Sequence, residues 1–521
     1  MKREAQNIRR ALELHQKIVL PVIVIAALAA TSLYAWRSLE SDTVTTPLPA
    51  YWPTAEWRST SPEAAGFDSA KLAHCLQAIK QDNANVHSLV LVRNGEVFLE
   101  AYFYPYDGST YHDMASVTKS VMTTLIGIAV DQGKIDLDEP MLSFFPERSI
   151  ANLDARKERI TVRHLVSMTS GFSCTARPSE ITLDEMMACP DWVQFALDRP
   201  MAAEPGTRFV YDSPGMHLLS AILQQATGMN ALEYARENLF GPLGITDVHW
   251  VADPQGYYRG SGALSLHPMD SAKLGLLFLQ EGRWEERQIV SSDWVSEATA
   301  KHIETGIDYG EDYGYGWWVS REELVYFSAD GSGGQRILVV PPMNLVLVSA
   351  GGGFDQDEVT PYIEASIVDL QKPLPENAVG AAELEAALTE CRQPPAAKPV
   401  PQLPDTASSI SGKTFAFEEN PVRIRSIRLD FDDSVVATLY LDLSDASPVV
   451  ARVGLDGVYR PSISGRPCIA KGAWTDDQTF TAEYYEGPGI SYNRLVMRFD
   501  SDRLTFEIVG LGSLEGRQVQ P

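Results

Sequence analysis

The stretch ASVTKSVMTTLIGIAV occupies residues 115–130. After Ser116 its apolar residues, Val121, Met122, Leu125, Ile126, Ile128, Ala129 and Val130, recur with the period of a helix, and Gly133 marks its end. Ser116 and Lys119 therefore fall in the first turn, three residues apart and on one face, so the Lys119 amine can reach the Ser116 hydroxyl. A serine hydroxyl is a weak nucleophile until a neighbour takes its proton. A lysine desolvated at the end of a pocket loses basicity and can share in that transfer. The helix N-terminus adds backbone N–H groups that favour a developing oxyanion. Read alone, the same four residues also describe an ordinary first helical turn with a solvated lysine.

On the N-terminal side, HSLVLVRNGEVFLEAYF (residues 87–103) reads as a β-hairpin with Asn94-Gly95 at its tight turn. On the C-terminal side the chain is helical for a long way. It returns to strands between Tyr315 and Ala350 in GWWVS, LVYFSA, QRILVVPP and LVLVSA. Strands at both ends of a helical middle predict an α+β domain, with one antiparallel sheet assembled from the two ends.

Two further boxes lie inside that domain. Tyr211-Asp212-Ser213 follows the loop Glu204-Pro205-Gly206-Thr207. A phenol beside an ammonium loses pKa and can act as a base, whereas an isolated tyrosine at a strand end is ordinarily core. Ser332-Gly333-Gly334-Gln335 precedes the strand RILVV. Its glycines allow close approach of a substrate backbone and free a main-chain N–H for an oxyanion. Without the other boxes it reads as a glycine-rich turn.

Taken in order, Ser-x-x-Lys, Tyr-x-x after Pro-Gly-Thr, and a small-x-Gly box on a late strand resemble the class C β-lactamase and penicillin-binding-protein superfamily, including its esterase and 6-aminohexanoate-dimer hydrolase branch. ITVRHLVSMTSGF from Ile160, PGTRFVYDSPGMHLLSAILQQATG from Pro205, GPLGI from Gly241 and YGYGWWV from Tyr313 are similar too. The resemblance spans residues 51–370. It implies a β-lactamase/transpeptidase-like fold, an antiparallel sheet with a helical domain, and hydrolysis of a small ester, amide or peptide without a cofactor or metal. It implies that Ser116 is acylated, that Lys119 and Tyr211 move the proton, and that the N–H groups of Ser116 and Gln335 form an oxyanion hole. Ser213, Ser332, Gly333 and Gly334 are the candidate substrate-binding positions, joined by His112, which sits close before Ser116 in the chain and is a further candidate to line the pocket.

Two departures bear on the substrate. Tyr-x-Asn has become Tyr211-Asp212-Ser213, replacing an amide with a hydroxyl. Lys-Thr-Gly has become Ser332-Gly333-Gly334, which removes a cation for a substrate carboxylate. The expectation is therefore an esterase or amidase of neutral substrates. The alternatives are a β-lactamase or D-alanyl-D-alanine carboxypeptidase, or a catalytically weak module that binds cell-wall peptide or protein. No G-x-S-x-G or H-E-x-x-H occurs, and no glycine-rich dinucleotide or phosphate loop.

The flanks complete the organisation. Residues 18–36 are nineteen without a charge, just long enough to cross about 30 Å of hydrocarbon. Lys2, Arg3, Arg9, Arg10 and Lys17 precede them, so residues 1–17 should stay cytoplasmic. The expectation is a single pass of the bacterial inner membrane with the catalytic domain on the periplasmic side. Ala27, Ala29 and Ala35 also suit signal-peptide cleavage. Residues 37–50 read as a stalk, 371–408 as a proline-rich linker with one short helix near 376–389, and 409–521 as an antiparallel β-barrel-like domain. The formal charge of −26 disfavours nucleic acid as a partner. Five cysteines are too few and too scattered for a disulfide scaffold, with Cys174–Cys189 an open pairing.

Overall fold

The computed structural model describes Pro49 and residues 51–519, apart from 83, 110, 177–179, 307–309, 323, 355, 357–358, 421, 432, 445–447, 465–467, 487–491 and 510–511. The segment expected to span a membrane lies outside these. Among the described residues no helix is long and apolar enough to cross one.

Strands β1 (Val86–Arg93) and β2 (Glu96–Tyr102) form the expected hairpin, with Arg93 opposite Glu96. Asn94 (φ 55°) and Gly95 (φ 80°) both lie in the left-handed region that such a two-residue turn needs. Next come β3 (His112–Asp113), β4 (His249–Trp250) and β5 (Leu264–Leu266), a small sheet in the order β3-β5-β4, and a short hairpin of β6 (Arg283–Trp284) and β7 (Arg287–Gln288). Then β8 (Asp312–Tyr313), β9 (Trp318–Val319), β10 (Phe327–Gly331), β11 (Gln335–Val340) and β12 (Leu345–Gly351) join the first hairpin. The main sheet runs β2-β1-β12-β11-β10-β9-β8, so the two ends of the domain meet where β1 pairs antiparallel with β12.

Both faces of this sheet are covered, which explains why β1 reads as nearly continuous apolar sequence. Successive side chains point to opposite faces. Val90 and Val92 enter one core with the helical middle of the domain, while Leu89 and Leu91 enter another with Leu72 and Leu76 of the helix Ser69–Gln81. Each such side chain stabilises the fold by about 1.5–3 kcal/mol on burial. The exposed edge of β2 is closed by the preceding chain: Thr60 N donates to Val97 O at 2.8 Å, and Val97 N to Arg58 O at 2.9 Å.

The helix Val117–Asp131 is the centre of the larger core, buried all round from Val117 to Ala129. Gly127 lets Trp294 approach closely; a Cβ there would lie 2.3 Å from the indole.

The proline-rich segment differs from the expectation. The helix Ala378–Arg392 is not isolated within a linker. It buries Leu384, Ala387 and Cys391 against the helix Ser69–Gln81 and belongs to the second core. A helix near 376–389 is the expectation; what the proline-rich flanks obscure is that its apolar stripe packs into a core. Beyond it, ten strands from β13 (Thr414–Phe417) to β22 (Gly512–Gln518) form a closed barrel, antiparallel from each strand to the next and closed by β13 on β22, with one further parallel contact, Val453–Gly454 on Ala470–Lys471. Tyr104 and Tyr485 tie the barrel to the first domain. The Tyr104 hydroxyl donates to Tyr459 O at 2.8 Å, and the Tyr485 hydroxyl to Asn85 Oδ1 at 2.9 Å.

Gly127→Ala tests the helix packing. The added methyl must displace Trp294, and the protein should lose about 1–3 kcal/mol of stability. A urea titration with an unchanged midpoint would show that the indole does not sit against this helix.

Candidate active site

The site is built around the turn that starts the central helix. Ser116 caps the helix with φ −73° and ψ −8°. The residue before it, Ala115, has φ 47°, unfavourable for a side chain other than glycine. Two contacts hold this turn. Ala115 N donates to Asp113 Oδ1 at 2.7 Å, and Gly331 at the end of β10 packs so tightly that a Cβ would lie 2.5 Å from Met114 O and 3.0 Å from Ser116 N.

Lys119 is one turn on and only 2% exposed. Its Nζ donates to Ser116 Oγ at 2.7 Å and to the Ser261 carbonyl at 2.9 Å. Burial pushes its pKa down to about 8; Glu180 opposes the shift, Arg259 adds to it, and Asp212 opposes it. The Tyr211 ring centroid is 4.7 Å from Lys119 Nζ, and its hydroxyl is hydrogen-bonded with Ser116. Burial holds the phenol well above its ordinary value, and the bond to Ser116 only partly offsets this. Trp318 stacks on the Tyr211 ring at 6.0 Å. Hydroxyl, amine and phenol therefore converge, although the phenol lies about ninety residues from the other two in sequence.

Tyr211 is placed by its neighbour. Asp212 caps the helix Ser213–Thr227, accepting from Gly215 N at 2.9 Å. Its carboxylate also takes a two-pronged bond from Arg199, at 2.7 and 3.0 Å, with both side chains 4% exposed.

The other predicted positions fall differently. The Ser213 hydroxyl donates to Glu180. Ser332, Gly333 and Gly334 form the turn between β10 and β11, both glycines with positive φ. The Gln335 side chain is buried, donating to Ser332 O at 3.1 Å and Gly351 O at 2.7 Å. His112 is 3% exposed, and both its ring nitrogens have protein partners, His87 and the Asp113 carbonyl. Cys174 and Cys189 are free thiols. The sequence reading did not single out Glu180, Arg259 or Ser261. Gly260 and Gly262, flanking Ser261, were the available signal for a backbone carbonyl brought close to a buried group. Nothing in the pattern around Glu180 or Arg259 marks them. Among the described residues no group of His, Cys, Asp and Glu side chains could hold a metal ion.

The beta-lactamase family model matches residues 76–358, more than half of the chain and all of the site. The chain belongs to the beta-lactamase family. It is a serine hydrolase. It is 24% identical over 289 residues to the 6-aminohexanoate-dimer hydrolase of Paenarthrobacter ureafaciens, covering 52% of this chain and 73% of that one. It is 25% identical over 224 residues to esterase EstB of Burkholderia gladioli, 38% of this chain and 57% of the relative. The fold is shared with EstCE1, described as a hydrolase with promiscuous acyltransferase activity, at a TM-score of 0.50 and 17% identity over 58% of this chain and 99% of that chain.

Arg199→Ala should unfold the Tyr211 support. It strands the Asp212 carboxylate in the interior, a loss of about 3–5 kcal/mol. A melting temperature unchanged from the parent would show that the ion pair does not brace this corner.

Proposed function

We propose that this protein hydrolyses neutral esters or amides through an acyl-Ser116 intermediate, and that residues 18–36 hold it at the bacterial inner membrane with the catalytic domain outside. The observation that carries the chemistry is the buried Lys119 amine 2.7 Å from the Ser116 hydroxyl. With a pKa lowered to about 8, a fraction of Lys119 is neutral at physiological pH and can accept the serine proton, while the Tyr211 phenol, held well above its usual range, stays protonated. Lys119 is then the base for acylation. Ser116 Oγ bonds to the carbonyl carbon, its proton passes to Lys119, and Tyr211 relays that proton to the leaving group. Water repeats the steps in reverse to free the acid. The N–H groups of Ser116 and Gln335 are the proposed donors to the oxyanion.

The neutral-substrate reading is supported by what surrounds the glycine turn. Arg336, the cation next to Gln335 on β11, is ion-paired with Glu311 at 3.3 Å and Asp330 at 3.1 Å. Arg259 lies among Asp113, Glu180 and Asp184, whose charges act on it. The names of the relatives, a 6-aminohexanoate-dimer hydrolase and an esterase, support a hydrolase reading.

The full chain in detergent is to be offered short p-nitrophenyl esters, a chromogenic cephalosporin and an acyl-D-Ala-D-Ala peptide. The expected result is ester turnover, with a fluorophosphonate adduct mapped to Ser116, and a loss of at least about a thousandfold in Ser116→Ala. Cephalosporin turnover at comparable efficiency would instead assign a β-lactamase.

The pH dependence follows from the base. The neutral amine is the active form, so the rate of Ser116 labelling should rise with pH and level off above about 8. Lys119→Arg, permanently charged, should lose both the rate and the rise. A labelling rate independent of pH between about 6 and 9 excludes Lys119 as the base.

A further inference from the structure

A continuous line of polar contacts leads from the barrel to the nucleophile. The Tyr485 hydroxyl, on β19 (Thr479–Glu486), donates to Asn85 Oδ1 at 2.9 Å. Asn85 Oδ1 is 3.2 Å from His87 Nε2, and His87 Nδ1 is 2.8 Å from His112 Nε2. His112 Nδ1 is 2.9 Å from the Asp113 carbonyl, and the Asp113 carboxylate holds Ala115 N at 2.7 Å. The next residue is Ser116. The two imidazoles are 2% and 3% exposed, and Tyr106 stacks on His87 at 3.8 Å.

The hydrogen positions along this line are dictated by its ends. A carbonyl only accepts, so His112 Nδ1 carries its proton and Nε2 accepts. His87 Nδ1 must then donate to it, which leaves a neutral His87 with a lone pair at Nε2. That lone pair faces another acceptor, Asn85 Oδ1, across the longest gap in the series. The amide cannot turn over to repair the mismatch, because Asn85 Nδ2 is committed to Gly352 O at 2.7 Å. Burial holds both imidazoles in the neutral form: it brings His112 down to about 4, opposed by the bond to the Asp113 carbonyl, and His87 well below its ordinary value, with His112 adding to the shift. At neutral pH the Tyr485 hydroxyl is therefore the side-chain donor that satisfies Asn85 Oδ1 and fixes the amide against the imidazole pair. Asn85 also reaches the other wall of the site. Its carbonyl accepts from Gly352 N at 2.9 Å, and the adjacent Gly351 is clamped by the Gln335 side chain through two bonds of 2.7 and 3.1 Å.

We propose that Tyr485 is a positioning residue for catalysis: acting through Asn85, His87 and His112, it fixes the strained Asp113–Ala115 turn that presents Ser116, making the barrel a working part of the active site. This rests on the reading of Ser116 as nucleophile. It assigns the barrel a role that neither a spacer nor a substrate lid would have. The turn needs such support because Ala115 occupies a left-handed conformation and relaxes if Asp113 shifts.

The test compares three full-length variants by fluorophosphonate labelling of Ser116, by the KM and kcat of an ester that the parent turns over, and by melting temperature. Tyr485→Phe removes only the hydroxyl. Tyr104→Phe removes the other tyrosine bond to the barrel while leaving Tyr485, Asn85 and both histidines in place, and serves as the docking control. Expected for Tyr485→Phe is a fall of about tenfold in labelling rate and kcat, with KM unchanged, as for a small displacement of a reacting group. Tyr104→Phe should keep the parent rates. In a His112→Ala background, Tyr485→Phe should cost nothing further, because the line is already cut. Should His112→Ala not fold, His87→Ala takes its place in the cycle. Equal slowing by the two tyrosine variants, parent-like rates in Tyr485→Phe, or independent costs of Tyr485→Phe and the histidine variant would each overturn the proposal. If the parent itself is not labelled at Ser116, the hydrolase mechanism fails first; if it is labelled and Tyr485→Phe matches it, only the positioning role fails.

Discussion

The candidate site depends on taking one amine, that of Lys119, out of water and pressing it against one hydroxyl, that of Ser116. An ammonium in the interior carries a large desolvation cost, and the fold meets it in part with two acceptors, Ser116 Oγ and the Ser261 carbonyl. What is left unmet appears as a depressed pKa, which is the property a proton acceptor needs. The surrounding core exists to keep that environment dry: the helix that carries Lys119 is buried on every side, and a glycine is used to bring a tryptophan against it.

Around that contact the two ends of the domain cooperate. The N-terminal hairpin supplies β1 and the C-terminal strands supply β11 and β12, so the glycine turn arrives beside Ser116 only when the sheet closes. The approach of Gly331 to Met114 O and Ser116 N leaves no room for a side chain. The site is therefore a product of long-range pairing, and the local motif at residues 116–119 acquires its neighbours only in that setting.

Much of this was legible in the sequence because it followed from periodicity and turn chemistry. Asn94-Gly95 announced its hairpin, the apolar spacing after Ser116 announced the helix, and alternating residues after 409 announced a β-domain. The convergence of Tyr211 with Ser116 and Lys119 came from the order of three boxes rather than from any one of them. Other features had no local signature. Glu180 and Arg259 act through space across loops whose course no pattern sets. His112, near Ser116 in sequence, was read as a pocket residue because the chain alone does not reveal His87 on a different strand waiting to pair with it. The helix Ala378–Arg392 was underrated for a compositional reason, since prolines on both sides disguised a segment that packs into a core.

The management of sheet edges has a consequence for the behaviour of the protein in concentrated suspension. A barrel closed from β13 to β22 offers no row of unpaired amides and carbonyls, and β2 has part of its outer side occupied by Arg58 and Thr60. At the opposite margin β8 is only two residues long. A neighbouring copy thus finds little template for adding a strand of its own, and polymerisation through backbone pairing is discouraged in the folded state. Loss of the short 58–60 segment would reopen that margin, turning a modest truncation near the start of the domain into a route to fibrous aggregates.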